Sequence, residues 1–403
     1  MSSSDQADVV VIGAGIIGSF TAYYLARAGL DVVVLDPAPG GGASSGNAGM
    51  LVPSFSVPMS NPATLLSGLA ALRSDDSAVT LNRPLSLRTW AWLGRFAVAS
   101  RPGRAWKGAV RLHELAVHSR RRYDELVAEE NLDLGLGSKG WLWAFHTADA
   151  LDRQLKTARR LQDIGIRHQE LDADAARAIE PGLSDAVTGA VLFPDDRGLD
   201  PARATAAVAE AARRRGARFM AERVAAAEGV GSRTTAVRTG QRTVRARWFV
   251  LATGADSAAV GGLFGVRLPV EPGYGWSLRI PTSSSPVRHP LMCAEHHVVV
   301  NPAADHIRLT GGMAFGGRPE TAPCPAALKA LRAAAERTVP GLSTLTEPGE
   351  PWRGARPMTP SGMPIIRPVA PNVIAATGHG TLGMTLAPAT AKIVQTCLLG
   401  GRE

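Results

Sequence analysis

Cysteine is scarce: Cys293, Cys324 and Cys397 stand far apart in a chain of 403 residues. Three scattered thiols suggest neither a disulfide framework nor a zinc site, so a reducing compartment is expected. Long apolar runs are missing too. The longest uncharged tract, residues 37–72, is broken by Pro53, Pro58, Pro62 and several glycines, which excludes a spanning helix there. The N-terminus runs Met-Ser-Ser-Ser-Asp-Gln directly into an apolar segment, without the pattern of a secretory leader. A cytoplasmic location follows as an expectation, with peripheral attachment at the inner face of the membrane left open. Acids are outnumbered, 35 against 44 basic residues, for a formal charge of +9. The basic clusters at Arg120–Arg122 and Arg213–Arg215 have acids nearby in helical-looking segments, so they read as solvated faces rather than a nucleic-acid site. A positive field also suits an anionic cofactor or a carboxylate substrate.

Residues 7–36 organise the rest. Val9, Val10, Val11 and Ile12 form a short β-branched run, as in a strand buried on both faces of a parallel sheet. Gly13, Ala14, Gly15, Ile16, Ile17 and Gly18 then fit G-x-G-x-x-G where that strand should turn into a helix. Gly13 permits the tight turn, Gly15 lets backbone approach a pyrophosphate, and Gly18 lets helix pack on sheet. The helix N-terminus would face the phosphates. A second strand, residues 32–35, closes on Asp36, an acid placed to accept adenosine ribose hydroxyls. This selects FAD or NAD over NADP, and the motif does not separate the two.

The tract after Asp36 and Pro37 is glycine- and serine-rich, with Ser44, Ser45 and Asn47 as polar points: a loop that either lines a flat ring or is simply flexible. Helices are predicted over 65–72, 85–99, 106–130, 149–164, 201–215, 325–339 and 384–399. Asp200 reads as an N-cap with Pro201 at the first helical position. Pro388 is expected in the first turns of the last helix, where a missing N–H is tolerated. Strands are predicted over 138–146, 190–193, 234–239, 247–251 and 373–377, with antiparallel ones within 268–280 and 298–310. The strand ending at Leu251 runs into Ala252-Thr253-Gly254, which suggests a return to the first sheet. Near the C-terminus, Gly378-His379-Gly380-Thr381-Leu382-Gly383 is a second glycine turn that aims a helix N-terminus at something.

Together G-A-G-I-I-G at 13–18, S-S-G-N-A-G-M at 44–50, V-P-M-S-N-P at 57–62, P-G-Y-G-W-S-L at 272–278, W-R-G-A-R-P-M-T-P-S-G-M-P at 352–364 and T-G-H-G-T-L-G-M-T at 377–385 resemble the FAD-dependent D-amino-acid oxidase superfamily. Within it, the chain is most similar to bacterial D-amino-acid dehydrogenases and their D-hydroxyproline-oxidising relatives. It departs at Ser361, where relatives often have Asp, and at Trp276, where they often have Tyr. The resemblance implies an α/β fold: a Rossmann-like FAD-binding domain of several chain segments (1–80, 185–265 and 350–403) with an interleaved α+β substrate domain (81–184 and 266–349). It implies flavin contacts from Gly13, Gly15, Ile16, Ile17, Gly18, Asp36, Pro37, Ser44, Ser45, Asn47, Ala48, Gly49, Met50, Val224, Thr253, Gly254 and Arg356. Contacts are also implied from Gly380, Thr381, Leu382, Gly383, Met384 and Thr385.

The implied chemistry is hydride transfer from the Cα of a D-amino acid to FAD, giving an imino acid that hydrolyses to a 2-oxo acid and ammonia. Arg356 is the candidate anchor for the substrate carboxylate, since a guanidinium offers a planar fork and stays charged when desolvated. The alternative for Arg356 is a structural ion pair. Tyr274 is either a hydroxyl donor to substrate or core packing, and Trp276 would line the substrate pocket. His379 is as readily structural as catalytic. No catalytic acid or base and no metal ligand is assigned, and nothing signals covalent flavin attachment. The electron acceptor is expected to be a quinone or partner protein rather than oxygen. D-hydroxyproline or D-proline dehydrogenase, a glycine- or sarcosine-type oxidase, and a flavin subunit of an electron-transfer complex are the alternatives.

Overall fold

Two sheets meet along the tract that follows the second strand. The computed structural model describes residues 6–71, 79–82, 86–316 and 324–400; Leu72 and Leu85, ends of two predicted helices, lie outside the described residues. In the first sheet the apolar run becomes the strand Gln6–Ile12, flanked in parallel by Thr243–Leu251 and Val32–Leu35. Val373–Thr377 and Arg218–Met220 extend it in parallel on either side. Val9, Val10 and Val11 are fully buried, as covered faces on both sides of a parallel sheet require. The helix Ile16–Arg27 packs between Pro201–Arg214 and Gly383–Leu399, so the last helix returns to the first. Asp200 caps Pro201–Arg214 as expected, its Oδ1 accepting the N–H groups of Ala202 (3.0 Å) and Arg203 (3.1 Å).

The second sheet runs Glu350–Met358, Glu271–Pro281, His306–Gly316, Val298–Pro302, Leu291–Cys293, Lys139–Phe145, Gly189–Gly198 and Met50–Leu51. Two of its strands come from segments expected in the FAD-binding unit. Gly189–Gly198 and Glu350–Met358, grouped with the FAD-binding unit, hydrogen-bond within the second sheet. The reason is that strand partners are set by contacts far apart in the chain, which local periodicity does not report. The basic clusters behave as paired faces: Arg214 and Arg215 reach Glu130, Arg213 reaches Glu210, and Arg120 reaches Asp195.

Pro388 falls later than expected, as the sixth residue of Gly383–Leu399. Having no N–H, it cannot serve the Met384 carbonyl four residues earlier. The long helix Pro102–Glu130 makes the repair: the Tyr123 hydroxyl donates to Met384 O (2.8 Å), and Ser119 Oγ accepts the Ala389 N–H (3.0 Å). Burial also pushes the Tyr123 hydroxyl pKa upward, which keeps it a donor. Tyr123→Phe should therefore lower the unfolding free energy by about 1–3 kcal/mol in denaturant titrations. An unchanged midpoint would show that the proline break needs no external donor.

Candidate active site

The nucleotide end is built from backbone. Gly13 takes φ +104°, and a Cβ there would run into the Ala252 carbonyl, so the crossing between Gln6–Ile12 and Thr243–Leu251 requires glycine. Gly15 occupies the N-cap of Ile16–Arg27 and brings no side chain to cap it. Ser44 Oγ accepts the Ile16 N–H (3.0 Å), which ties the glycine turn to the serine-rich loop. Asp36 accepts from Ala14 N through Oδ2 (2.8 Å) and from Ala38 N through Oδ1 (2.7 Å), so this acid also shapes the turn. Thr253 and Gly254 lie at the end of the neighbouring strand, where Gly254 O accepts the hydroxyls of Ser257 (2.6 Å) and Thr377 (3.2 Å). A glycine turn that leads into a helix N-terminus, with only the Ser44 hydroxyl and the Asp36 carboxylate on its N–H groups, fits the pyrophosphate of FAD.

The loop through residues 44–50 bridges both sheets. Asn47 Oδ1 accepts the Gly49 N–H (2.9 Å), and Met50–Leu51 joins the edge of the second sheet against Gly198 and Arg197. Thr385, in the first turn of the last helix, donates its hydroxyl to Met50 O and accepts the Val52 N–H, both at 3.1 Å. The structure thus brings together Met50 and Thr385, which lie at opposite ends of the chain. Asn301, to which no role was given, holds the same loop: its Nδ2 donates to the carbonyls of Ala48 (2.8 Å), Gly49 (3.1 Å) and Leu199 (3.1 Å). A lone amide in the apolar run Val-Val-Val-Asn-Pro was its only sequence signal. Trp352 was also missed; its indole packs against Gly46 of this loop.

Arg356 lies on Glu350–Met358, directly opposite Gly273 on the neighbouring strand. Its guanidinium rests over Gly275, where any Cβ would collide with it, and donates from Nη1 to Gly312 O (2.7 Å). The surrounding protein lowers its pKa to about 10 by desolvation, with no charged neighbour contributing. It remains a cation at neutral pH, and among the described residues no carboxylate lies within ion-pair distance. That removes the alternative of a structural ion pair with a described acid.

Tyr274 and Trp276 do not join it. Paired residues share a face and successive residues alternate, so Arg356 sits with Gly273 and Gly275, while Tyr274 and Trp276 face the other way with Arg353. There the Arg353 guanidinium lies 3.9 Å from the Tyr274 ring centroid, and Trp276 packs against the core of the second sheet. For Tyr274, left open between a donor to substrate and core packing, and for Trp276, expected to line the pocket, the two-residue period places the rings on the face opposite Arg356.

The second glycine turn closes onto the same strand. Gly380 N donates to Pro357 O (3.0 Å), and Leu382 leads into the last helix without a side-chain cap. Its backbone N–H groups are positioned to meet negative charge. His379 is buried with Nε2 against Thr390 Oγ1 (2.9 Å), and burial lowers its pKa to about 3. It is therefore neutral and engaged by the last helix, which favours its structural reading. A cavity opens between this turn and Phe55, Val57, Pro58, Met59, Leu112 and Met358.

The profile of the family described as FAD dependent oxidoreductase matches residues 8–396. The D-amino acid dehydrogenase of Methylobacterium sp. strain 4-46 is 33% identical over 410 residues, covering 97% of this chain and 95% of the relative. That of Rhizorhabdus wittichii is 32% identical, covering 98% and 96%. Among solved structures, glycine oxidase from Bacillus cereus superposes with a TM-score of 0.77 at 22% identity, covering 98% of this chain and 96% of that one. L-proline dehydrogenase from P. horikoshii gives 0.74 at 18%, covering 99% and 95%. At these identities the two structures establish a shared fold.

One buried acid holds the segment that leads into the cavity wall at Phe55. Asp196 accepts the Ser54 N–H (3.1 Å) and the Ser54 hydroxyl, and burial raises its pKa to about 7. Because this lies above the unfolded value of about 3.9, its share of stability is complete below pH ~4 and is lost as pH rises toward 7. Asp196→Asn removes that titration. The stability of the native protein relative to this variant should fall between pH ~4 and ~7 in denaturant titrations, and a constant difference would contradict the assignment.

Proposed function

The chain belongs to the FAD-dependent oxidoreductase family, and on that premise we propose that it dehydrogenates D-amino acids at the Arg356 site, passing electrons to an acceptor other than oxygen. Arg356 carries this reading: a half-buried, partly desolvated cation with a backbone carbonyl and, among the described residues, no acid beside it supports an incoming carboxylate. The D-amino acid dehydrogenases that match along nearly the whole chain support the handedness. When bound, FAD supplies the hydride acceptor. Its adenosine and pyrophosphate would be held by Asp36, the Gly13–Gly18 turn and Ser44, and its ring by residues 47–50 and 380–385.

The protein groups position the substrate and tune its charge. Arg356 would fix the carboxylate through two parallel hydrogen bonds, which orients the Cα–H. The same cation and the exclusion of water disfavour the substrate ammonium, so the amine gives up a proton to solvent. Loss of the Cα hydride and of one amine proton leaves the imino acid; water then adds at the imine carbon and ammonia departs. His379 is neutral and bonded to Thr390, so no step is routed through it. Among the described residues no helix is long and apolar enough to cross a membrane. A quinone or an electron-carrier protein is the proposed acceptor.

Turnover of D- and L-amino acids, glycine, sarcosine and D-proline, followed with an artificial dye and with oxygen, tests this reading. Dye reduction by D-enantiomers with little peroxide is expected; activity confined to L-enantiomers, or to glycine and sarcosine, would overturn it. Arg356→Gln should raise KM for the favoured substrate on the order of 100-fold while FAD stays bound. An unchanged KM would remove Arg356 from the carboxylate role.

A further inference from the structure

A larger cavity, of about 390 Å³, opens between the helix Pro102–Glu130 and one end of the second sheet. It shares no lining residue with the cavity beside the glycine turn, and Arg356 does not reach it. Its volume falls in the range of small-molecule sites, roughly 300–1,000 Å³. On the sheet side, Arg197 stands directly opposite Lys139 on one neighbouring strand and opposite Leu51 on the other. Residues paired in this way share a face, so two positive side chains stand side by side over the cavity, which is unfavourable when nothing separates them. Arg197 Nε donates to Gly137 O (3.1 Å), and among the described residues no carboxylate lies within ion-pair distance of Arg197 or Lys139. The acids in the lining do not relieve them. Asp195 is held by Arg167 (2.6 and 2.8 Å) and by Arg120 (3.2 Å), and Asp124 is exposed on the helix across the cavity. Below the charges the lining turns apolar: Leu51 and Tyr123 are buried, and Val127 and Leu136 half-buried. The Tyr123 hydroxyl is spent on Met384 O, so it is the ring that faces a ligand.

From this we propose that the cavity is a second ligand site, separate from the Arg356 site, and takes a small organic anion: a carboxylate, sulfonate or phosphate head on an apolar body. The head group would lie between Arg197 and Lys139. The planar fork of the first and the point charge of the second offer charge-assisted hydrogen bonds, and the anion replaces their mutual repulsion by attraction to both. The apolar body would cover Val127 and Leu136, which nothing else in the chain covers fully, and removing that surface from water adds to the binding. A neutral molecule of the same shape gains only the second of these terms. A cation is repelled by Arg197 and Lys139.

Anilinonaphthalene sulfonate and its uncharged analogue phenylnaphthylamine share one aromatic body, and both fluoresce when it enters apolar surroundings. With the FAD-loaded enzyme, the sulfonate should bind at least about tenfold more tightly than the neutral amine. Replacing both cations, Lys139→Gln with Arg197→Gln, should weaken the sulfonate at least about tenfold and leave the neutral amine unchanged. Both side chains are at the surface end of the cavity, so this variant should fold. Val127→Trp, which fills the cavity, should weaken both probes. Arg356→Gln should weaken neither, since that guanidinium lies outside the lining. The sulfonate should also raise the Tm of the native holoenzyme and not that of the double variant. Equal affinity for the two probes, or undiminished sulfonate binding in the double variant, would overturn the proposal. Loss of sulfonate binding in Arg356→Gln would overturn it as well, by placing the anion at the proposed carboxylate anchor.

Discussion

A guanidinium with no ion-pair partner among the described residues is the constraint on which the arrangement around Arg356 depends. Holding Arg356 charged, with its pKa drawn down to about 10 by desolvation, is unfavourable in the empty protein. The fold tolerates it through the close backbone approach at Gly275 and the carbonyl of Gly312, which together fix the plane of the fork. Neither neutralises the charge. On the proposed reading, the free energy withheld in this way becomes available to an anion that arrives in the matching orientation, which is how a binding site differs from a structural ion pair.

The same economy recurs where the sheets join. A loop from near the N-terminus and a helix from the C-terminus are locked through Met50, Val52 and Thr385, and Asn301 reaches across from the second sheet to hold three carbonyls. Tyr123 and Ser119 mend the last helix where Pro388 breaks its hydrogen-bond ladder. Segments far apart in the chain therefore fix the glycine turn at Gly380–Gly383 against Pro357, next to the strand that carries Arg356. The residues proposed to hold the cofactor and the proposed anchor are thus tied to one framework.

Much of this was legible locally. The valine run, the glycine spacing and Asp36 form one unit within thirty residues or so, and the Asp200-Pro201 helix start is likewise a local signal. The failures share a cause. Tyr274 and Trp276 were read from the family resemblance, but which face each occupies depends on register against residues about eighty positions away. Gly189–Gly198 and Glu350–Met358 likewise find their partners in the second sheet far from their own neighbourhoods in the chain. Asp196 carries no local signal in Pro-Asp-Asp-Arg-Gly; only the tertiary fold shows its neighbour Asp195 ion-paired outside while it is enclosed against Ser54.

The claim that the Arg356 charge awaits a carboxylate is tested most directly by comparing D-leucine with D-leucinamide, whose neutral amide replaces the acid at nearly constant shape. The account predicts that kcat/KM favours the acid by about two orders of magnitude, close to 3 kcal/mol of differential binding. Equal values for the two compounds would contradict it.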